Sequence, residues 1–305
     1  MTRFAFFFCA LAFPLFLPKG WAFTSQLLPA SLSNLVSRFW SGRLLLPSST
    51  SFTSPATELR ALLGPSDAVV APPPSSLDWM RFNAPTENET VSVTAIKSQL
   101  PGEYALTDIT VLRFLRARKH NVAEAEAELA RHMAWRRENV ADTLRVDTSS
   151  FTAEHSKRKC INEGFDRLGR PLVTMIARRH DKNDRDLPEV CKLIVHTLET
   201  AVHRSRARLN DEKIVIVFDM SGFTTAVMDY DAVKVLVSVL LKNYPDVLAA
   251  ALIVNAPMLF SACWAVIKPW LDPVTAAKCV FVKPAQLADY IDPAELPEDV
   301  QLQKQ

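Results

Sequence analysis

Glycine is scarce, with seven residues in a chain of 305. The chain accordingly has no G-x-G-x-x-G turn, no Walker-type phosphate loop and no G-x-S-x-G elbow. The nucleotide-binding and α/β-hydrolase signatures that need close backbone approach are therefore missing. Cysteine is sparser still, with five residues. Cys9, Cys160, Cys191, Cys263 and Cys279 show no C-x-x-C spacing, and the last four sit in apolar contexts. They read as free thiols behaving as small hydrophobes, not as a metal site or a disulfide framework. Acidic residues are absent from residues 1–57, a stretch that carries Arg3, Lys19, Arg38 and Arg43. Of the 35 basic residues, the 31 that remain face 33 acidic ones, a balance of −2 for the rest of the chain. A nucleic-acid binder shows a basic excess on its folded part. This chain does not.

The amino-terminal imbalance has its own meaning. Residues 4–17 form an apolar run behind Arg3 that is too short for a membrane span and has the pattern of a secretory signal, with a small-residue cleavage point before Phe23. The Ser/Thr-rich, acid-free stretch that follows reads as a transit peptide. The expected organisation is a signal over 1–22, a transit-like segment over 23–63 and a linker over 64–103. A helical subdomain over 104–145 and an α/β domain over 146–300 complete it. A signal joined to a transit segment with Phe at the junction resembles the bipartite presequence of algae with complex plastids, and implies plastid delivery. An ordinary signal ahead of a disordered mature terminus, on the secretory pathway, and a signal anchor left in place are the other readings.

Beyond residue 104 the hydrophobic residues are patterned. Val111, Leu112 and Leu115 share a helical face, and Asn121 with Glu124 makes a capping box opening a second helix through Trp135. The runs Leu172–Ile176, Ile214–Phe218, Ala251–Val254 and Cys279–Val282 read as strands. They alternate with helices near 189–208, at Val233, Leu236, Val237, Leu240 and Leu241, and near 259–268. Near-continuous apolar strands alternating with helices predict an α/β fold with a mainly parallel sheet. Asp219, after the second of these strands, reads as a turn residue, because no base, nucleophile or second acid stands beside it.

Several segments in fixed order carry a resemblance. They are LRFLRARKHNV (Leu112–Val122), AWRRE (Ala134–Glu138), GFDRLGRP (Gly164–Pro171), IVIVFDMSG (Ile214–Gly222), NYPDVL (Asn243–Leu248), VNAPMLF (Val254–Phe260), KPWLDPVTAAK (Lys268–Lys278) and IDPAELPED (Ile291–Asp299). Together they resemble the Sec14, or CRAL-TRIO, lipid-binding family over about residues 107–298. The resemblance implies a CRAL-TRIO fold, with a helical amino-terminal part on an α/β domain whose sheet floors a hydrophobic pocket closed by a mobile helix. It places that gate at Phe260, Trp264 and Ile267, and the pocket wall at Ile214, Ile216, Phe218 and Leu240. Plain core packing is the ordinary reading of these side chains. It further implies a carrier of one bound phospholipid or other hydrophobic ligand, a monomer making transient membrane contact, with no catalytic residue, metal or other cofactor. A soluble carrier must enclose its cargo, since each methylene contributes about 0.8 kcal/mol and two acyl chains roughly 25 kcal/mol of aversion to water.

Members of the family that bind phosphatidylinositol read its head group at positions matched here by Arg118, with Lys119, and by Asp246, Thr275 and Lys278. The residue types suit a phosphodiester and sugar hydroxyls. Asp246 stands where Glu is usual, which shortens its reach by about 1.5 Å. Ile214, Ile216 and Leu240 stand where phosphatidylcholine-binding members place hydroxyls, so exchange of that lipid is not expected by that route. Each residue also has an ordinary reading. Arg118 and Lys119 fit a solvated helix end, Thr275 a helix cap, and Asp246 and Lys278 surface charges. A neutral cargo of the tocopherol, carotenoid or retinoid kind, and a sensor that presents lipid to a kinase, are the alternatives on the same fold.

Overall fold

The computed structural model describes residues 77, 82–102 and 106–300. The expected signal (1–22) and transit-like segment (23–63) lie outside the described residues, as does most of the expected linker up to residue 81. The remainder of that linker is a correction. The weakly patterned residues at its end hold helix α1 (Glu87–Gln99), opened by a capping box in which the Glu89 backbone N–H donates to Thr86 and the Glu89 carboxylate accepts from the Thr86 N–H. Val93 and Ile96 of α1 bury against α2 (Asp108–Ala117) and α3 (Val122–Glu138), where Val111, Leu115, Ala125 and Leu129 complete one core. Glu89 also holds Arg116 and His120. The amino-terminal part is therefore three helices rather than two. Short α4 (Ala141–Leu144) and α5 (Thr152–Ser156) lead to the sheet.

Five strands form the sheet in sequence order: β1 (Cys160–Ile161), β2 (Leu172–Ile176), β3 (Ile214–Asp219), β4 (Leu248–Val254) and β5 (Cys279–Val282). Only β1 runs antiparallel to its neighbour. Two long crossovers carry α6 (Leu187–Leu209) and α7 (Tyr230–Asn243); the third carries α8 (Met258–Ile267) and the short α9 (Pro273–Ala277). Because right-handed crossovers between successively added parallel strands stack on one side, all these helices fall on the same face. The side chains show it. Val173, Ile214, Ile216 and Ala251 pack with α6 and α7, and Ile253 packs with α8.

The opposite face carries Leu172, Val215, Val217, Leu252, Val254, Val280 and Val282. It is sealed by the carboxy-terminal segment, through α10 (Pro284–Leu287), Tyr290 and Ile291, and by Leu296. Period-two alternation assigns each strand residue to its face. A bulge between β3 and β4 shifts the register, so Ala249 and Ala250 both turn to the sealed face. Gly164 has φ +73°, and a Cβ there would collide with the Glu295 carbonyl. That closeness locks the final segment onto the sheet's lower side. No described helix is long and apolar enough to cross a membrane.

Candidate functional site

The two faces of the sheet differ in how completely they are covered. On the sealed face Val215, Val217, Leu252 and Val254 have no free surface. On the crossover face Met175 and Phe218 of the interior strands stay half-buried, although interior strand positions covered by helices should be closed, and Cys279 and Phe281 of the edge strand β5 are half-buried beside them. The helices above them match. Helix α7 is strongly apolar, yet Val233, Leu236, Val237, Leu240 and Leu241 are all half-buried, and only Val239 and Asn243 are fully covered. These partly exposed apolar side chains define a candidate trough along the strands beneath α7 and α8.

Of the expected wall residues, Phe218 and Leu240 face this trough. Ile214 and Ile216 do not. They are 0% and 1% exposed, packed under α6 and α7 in the main core, because α6 lies directly over the amino half of β3. Their part of the wall is taken by Met175, Cys279 and Phe281.

Helix α8 closes the trough on the other side. Phe260, Cys263 and Ile267 turn inward on Met220, Met228 and Ile253, with Trp264 half-buried beside them. Phe260 meets Phe223 edge-on at 5.3 Å between ring centroids, and Trp264 meets Phe281 at 5.6 Å. The outer side of the same helix is apolar too, with Met258 64% and Leu259 46% exposed. A helix apolar all round is built to be covered on both sides, not to face water on one.

At the carboxyl ends of the strands, Asp219 is a hub and not merely a turn residue. Fully buried, it accepts from the Ser221 N–H and hydroxyl, from Asn255 Nδ2 at 2.9 Å and from Arg178 Nη1 at 2.8 Å. These bonds tie the ends of β2, β3 and β4 together just ahead of α8. Asn255 takes φ +57°, which turns the chain into that helix.

A second polar group stands at the amino ends of the strands. Lys213 precedes β3, Asp246 stands two residues before β4, and Lys278 precedes β5. Lys213 Nζ lies 2.7 Å from Asp246 Oδ1, and donates to the Asp246 carbonyl at 2.6 Å. Lys278 Nζ reaches the same carboxylate oxygen at 3.3 Å. Burial pushes the Asp246 carboxyl up, but the Lys213 and Lys278 charges outweigh it and hold it below the usual carboxylate range. Burial lowers the Lys213 ammonium to about 8, against the pull of Asp246.

Next to this group the buried Glu212 binds Arg113 and Arg206 and accepts from the Thr110 hydroxyl at 2.7 Å. Burial raises the Glu212 carboxyl, and the Arg113 and Arg206 charges with the Thr110 bond bring it down to about 2. Arg113 Nη1 also donates to the Pro245 carbonyl at 2.7 Å, beside Asp246.

The structure thus brings Asp246 and Lys278 together and leaves the other expected head-group residues apart. Arg118 ends α2 and pairs with Glu128 on α3 at 2.9 Å. Lys119 is exposed with φ +51°. The Thr275 hydroxyl donates to Asp272 Oδ2 at 2.6 Å inside the cap of α9. From α2 it is Arg113 and Arg116, not Arg118, whose charge reaches this edge. Lys213 was not foreseen. Its only signal in the sequence is a lone cation directly ahead of the IVIVF strand.

Comparison with known proteins agrees with this architecture. Residues 155–301 match the CRAL/TRIO domain. The chain is 34% identical over 195 residues to a CRAL-TRIO domain-containing protein of Schizosaccharomyces pombe, covering 61% of this chain and 43% of that one. It is 33% identical over 198 residues to phosphatidylinositol transfer protein CSR1 of Eremothecium gossypii, covering 62% and 45%. It is 30% identical over 196 residues to phosphatidylinositol transfer protein PDR17 of Saccharomyces cerevisiae, covering 61% and 54%. The chain spans about half the length of the curated relatives it matches. The crystal structure of Sfh5 superposes with a TM-score of 0.55 at 16% identity, over 73% of this chain and 96% of that one, a likeness of fold. The chain carries a CRAL-TRIO domain over residues 155–301.

Proposed function

We propose that this protein holds one lipid in the trough beneath α7 and α8, phosphatidylinositol before others, and transfers or presents it between membranes. The observation that carries this reading is the partly exposed apolar face of the sheet beneath α7 and α8. Acyl chains would lie along Phe218, Met175 and Phe281, and a phosphate would meet Lys278 through charge-assisted hydrogen bonds. Two relatives named as phosphatidylinositol transfer proteins support the same cargo. The exposed Met258 and Leu259 of α8 suit transient contact with a bilayer, and the protein is proposed to act as a monomer. It is read as a carrier and not a catalyst, since the buried Asp219 is spent on joining strand ends.

The test is transfer of radiolabelled phosphatidylinositol between vesicles by the full chain. Lys278→Ala should cut transfer at least about tenfold while circular dichroism and melting stay unchanged, the loss expected for one charged contact worth ~1.4 kcal/mol or more. Unchanged transfer would refute the head-group assignment. One observation favours a neutral hydrophobe instead. Asp246 and Thr275 already have partners inside the protein. Native mass spectrometry of the purified protein separates the two, because a bound phospholipid adds phosphorus and a neutral ligand does not. Plastid delivery is proposed from residues 1–63, and a fluorescent fusion of that segment retained in the endoplasmic reticulum would overturn it.

A further inference from the structure

We propose that Lys213 is a second contact for the cargo's phosphate, making this edge of the sheet selective for a lipid of net negative charge. The inference rests on the lipid-carrier reading above and adds a residue to it. Lys213, Asp246 and Lys278 stand at the start of three adjacent parallel strands, whose spacing of about 4.8 Å lines the side chains up in a row. Both ammonium groups converge on one carboxylate oxygen, Asp246 Oδ1. One oxygen cannot neutralise two cations, and Lys213 is only 8% exposed, so water does little to screen their repulsion.

The surrounding charges leave the same deficit. Lys213 is faced by Asp246 from the β4 side, Lys278 from the end of α9 and Arg113 from α2. Asp211 and Glu212 precede it in the chain. The Asp211 carboxylate accepts from the Ser205 hydroxyl and the Lys213 backbone N–H, and Glu212 is held by Arg113 and Arg206. Arg116, paired with Glu89, adds a more distant positive field at Asp246. Four cations (Lys213, Lys278, Arg113, Arg206) meet three carboxylates (Asp211, Asp246, Glu212), a surplus of one positive charge. One phosphodiester of a lipid without a cationic head group balances it. A zwitterionic choline head group leaves the surplus in place and brings a further cation toward it.

The alternative role for Lys213 is to hold Asp246 in its left-handed backbone conformation and nothing more. A pH profile distinguishes the two, because the lipid's phosphodiester does not titrate near neutrality while Lys213 does. The measurement is equilibrium uptake of phosphatidylinositol and of phosphatidylcholine by the full chain from defined vesicles. Phosphatidylinositol uptake by the wild type is expected to weaken about tenfold from about pH 7 to about pH 9, as the ammonium loses its proton. Lys213→Arg, which keeps the charge but not the titration, should flatten that slope. Lys213→Met should flatten it at a lower level and narrow the preference over phosphatidylcholine. If Lys213→Met does not fold, the Lys213→Arg profile alone decides. A slope and lipid preference unchanged in both variants would overturn the role of Lys213 while leaving the carrier reading intact. Failure of the wild type to take up phosphatidylinositol at any pH would overturn the carrier reading itself.

Discussion

Single residues decide two features of this molecule. Glu212 has no exposed surface and serves Arg113, Arg206 and Thr110 at once, joining α2 and α6 to the start of β3. Breaking such a buried network from its acidic side leaves guanidinium charges without a counter-ion. Glu212→Gln should lower unfolding free energy by about 3–5 kcal/mol, read from the urea midpoint. Gly164 acts through space and not charge. Gly164→Ala places a methyl group against the Glu295 carbonyl at a left-handed φ, and should cost about 2–4 kcal/mol in the same assay.

Among the elements, α8 is the one whose composition exceeds the needs of packing. Phe260, Cys263 and Ile267 satisfy the inner side, so Met258 and Leu259 are free to be changed. The double variant Met258→Asp, Leu259→Asp should leave stability within about 0.5 kcal/mol and slow vesicle-to-vesicle transfer, measured side by side.

The same elements show what the sequence disclosed. The strands at Leu172–Ile176 and Cys279–Val282 and the helices α6 and α8 were readable, because apolar runs and their periodicity follow directly from burial. Helix α1 was not, since its apolar positions are few and only the Thr86–Glu89 capping box marks it. The site was legible where residues of one motif meet residues of another in the same row, as Asp246 and Lys278 do. It was illegible where a neighbouring helix chose the partner. Arg118 is drawn to Glu128 by the packing of α2 on α3, and Ile216 is closed by α6, neither of which local pattern encodes.

At the scale of the whole molecule, acid should be damaging. His132 sits on α3 and faces Asn243 of α7, and burial with the Arg136 and Arg113 charges pushes its pKa from 6.5 down to about 3. Between those values the unfolded chain takes up a proton that the folded protein refuses, so stability falls as pH drops below about 6.5, by roughly 1.4 kcal/mol per pH unit. Glu212 adds to this lower down. Its stabilisation is complete above the ordinary carboxylate value and is lost as pH falls toward about 2. Thermal melts from about pH 7 to about pH 4 should show a steady decline. His132→Gln should make it shallower, and an unaltered slope in that variant would exclude His132 as the source.

The strand order carries a consequence for biosynthesis. Every parallel strand docks beside the one made just before it, so the sheet can grow by accretion as the polypeptide leaves the ribosome. The price is a bare hydrogen-bonding margin at each intermediate length. A nascent chain stalled after Val254 would present β4 unpaired along one side, with its lower surface uncovered until Leu287–Ile291 arrive. Polypeptides halted there should self-associate, whereas those released past residue 300 should not.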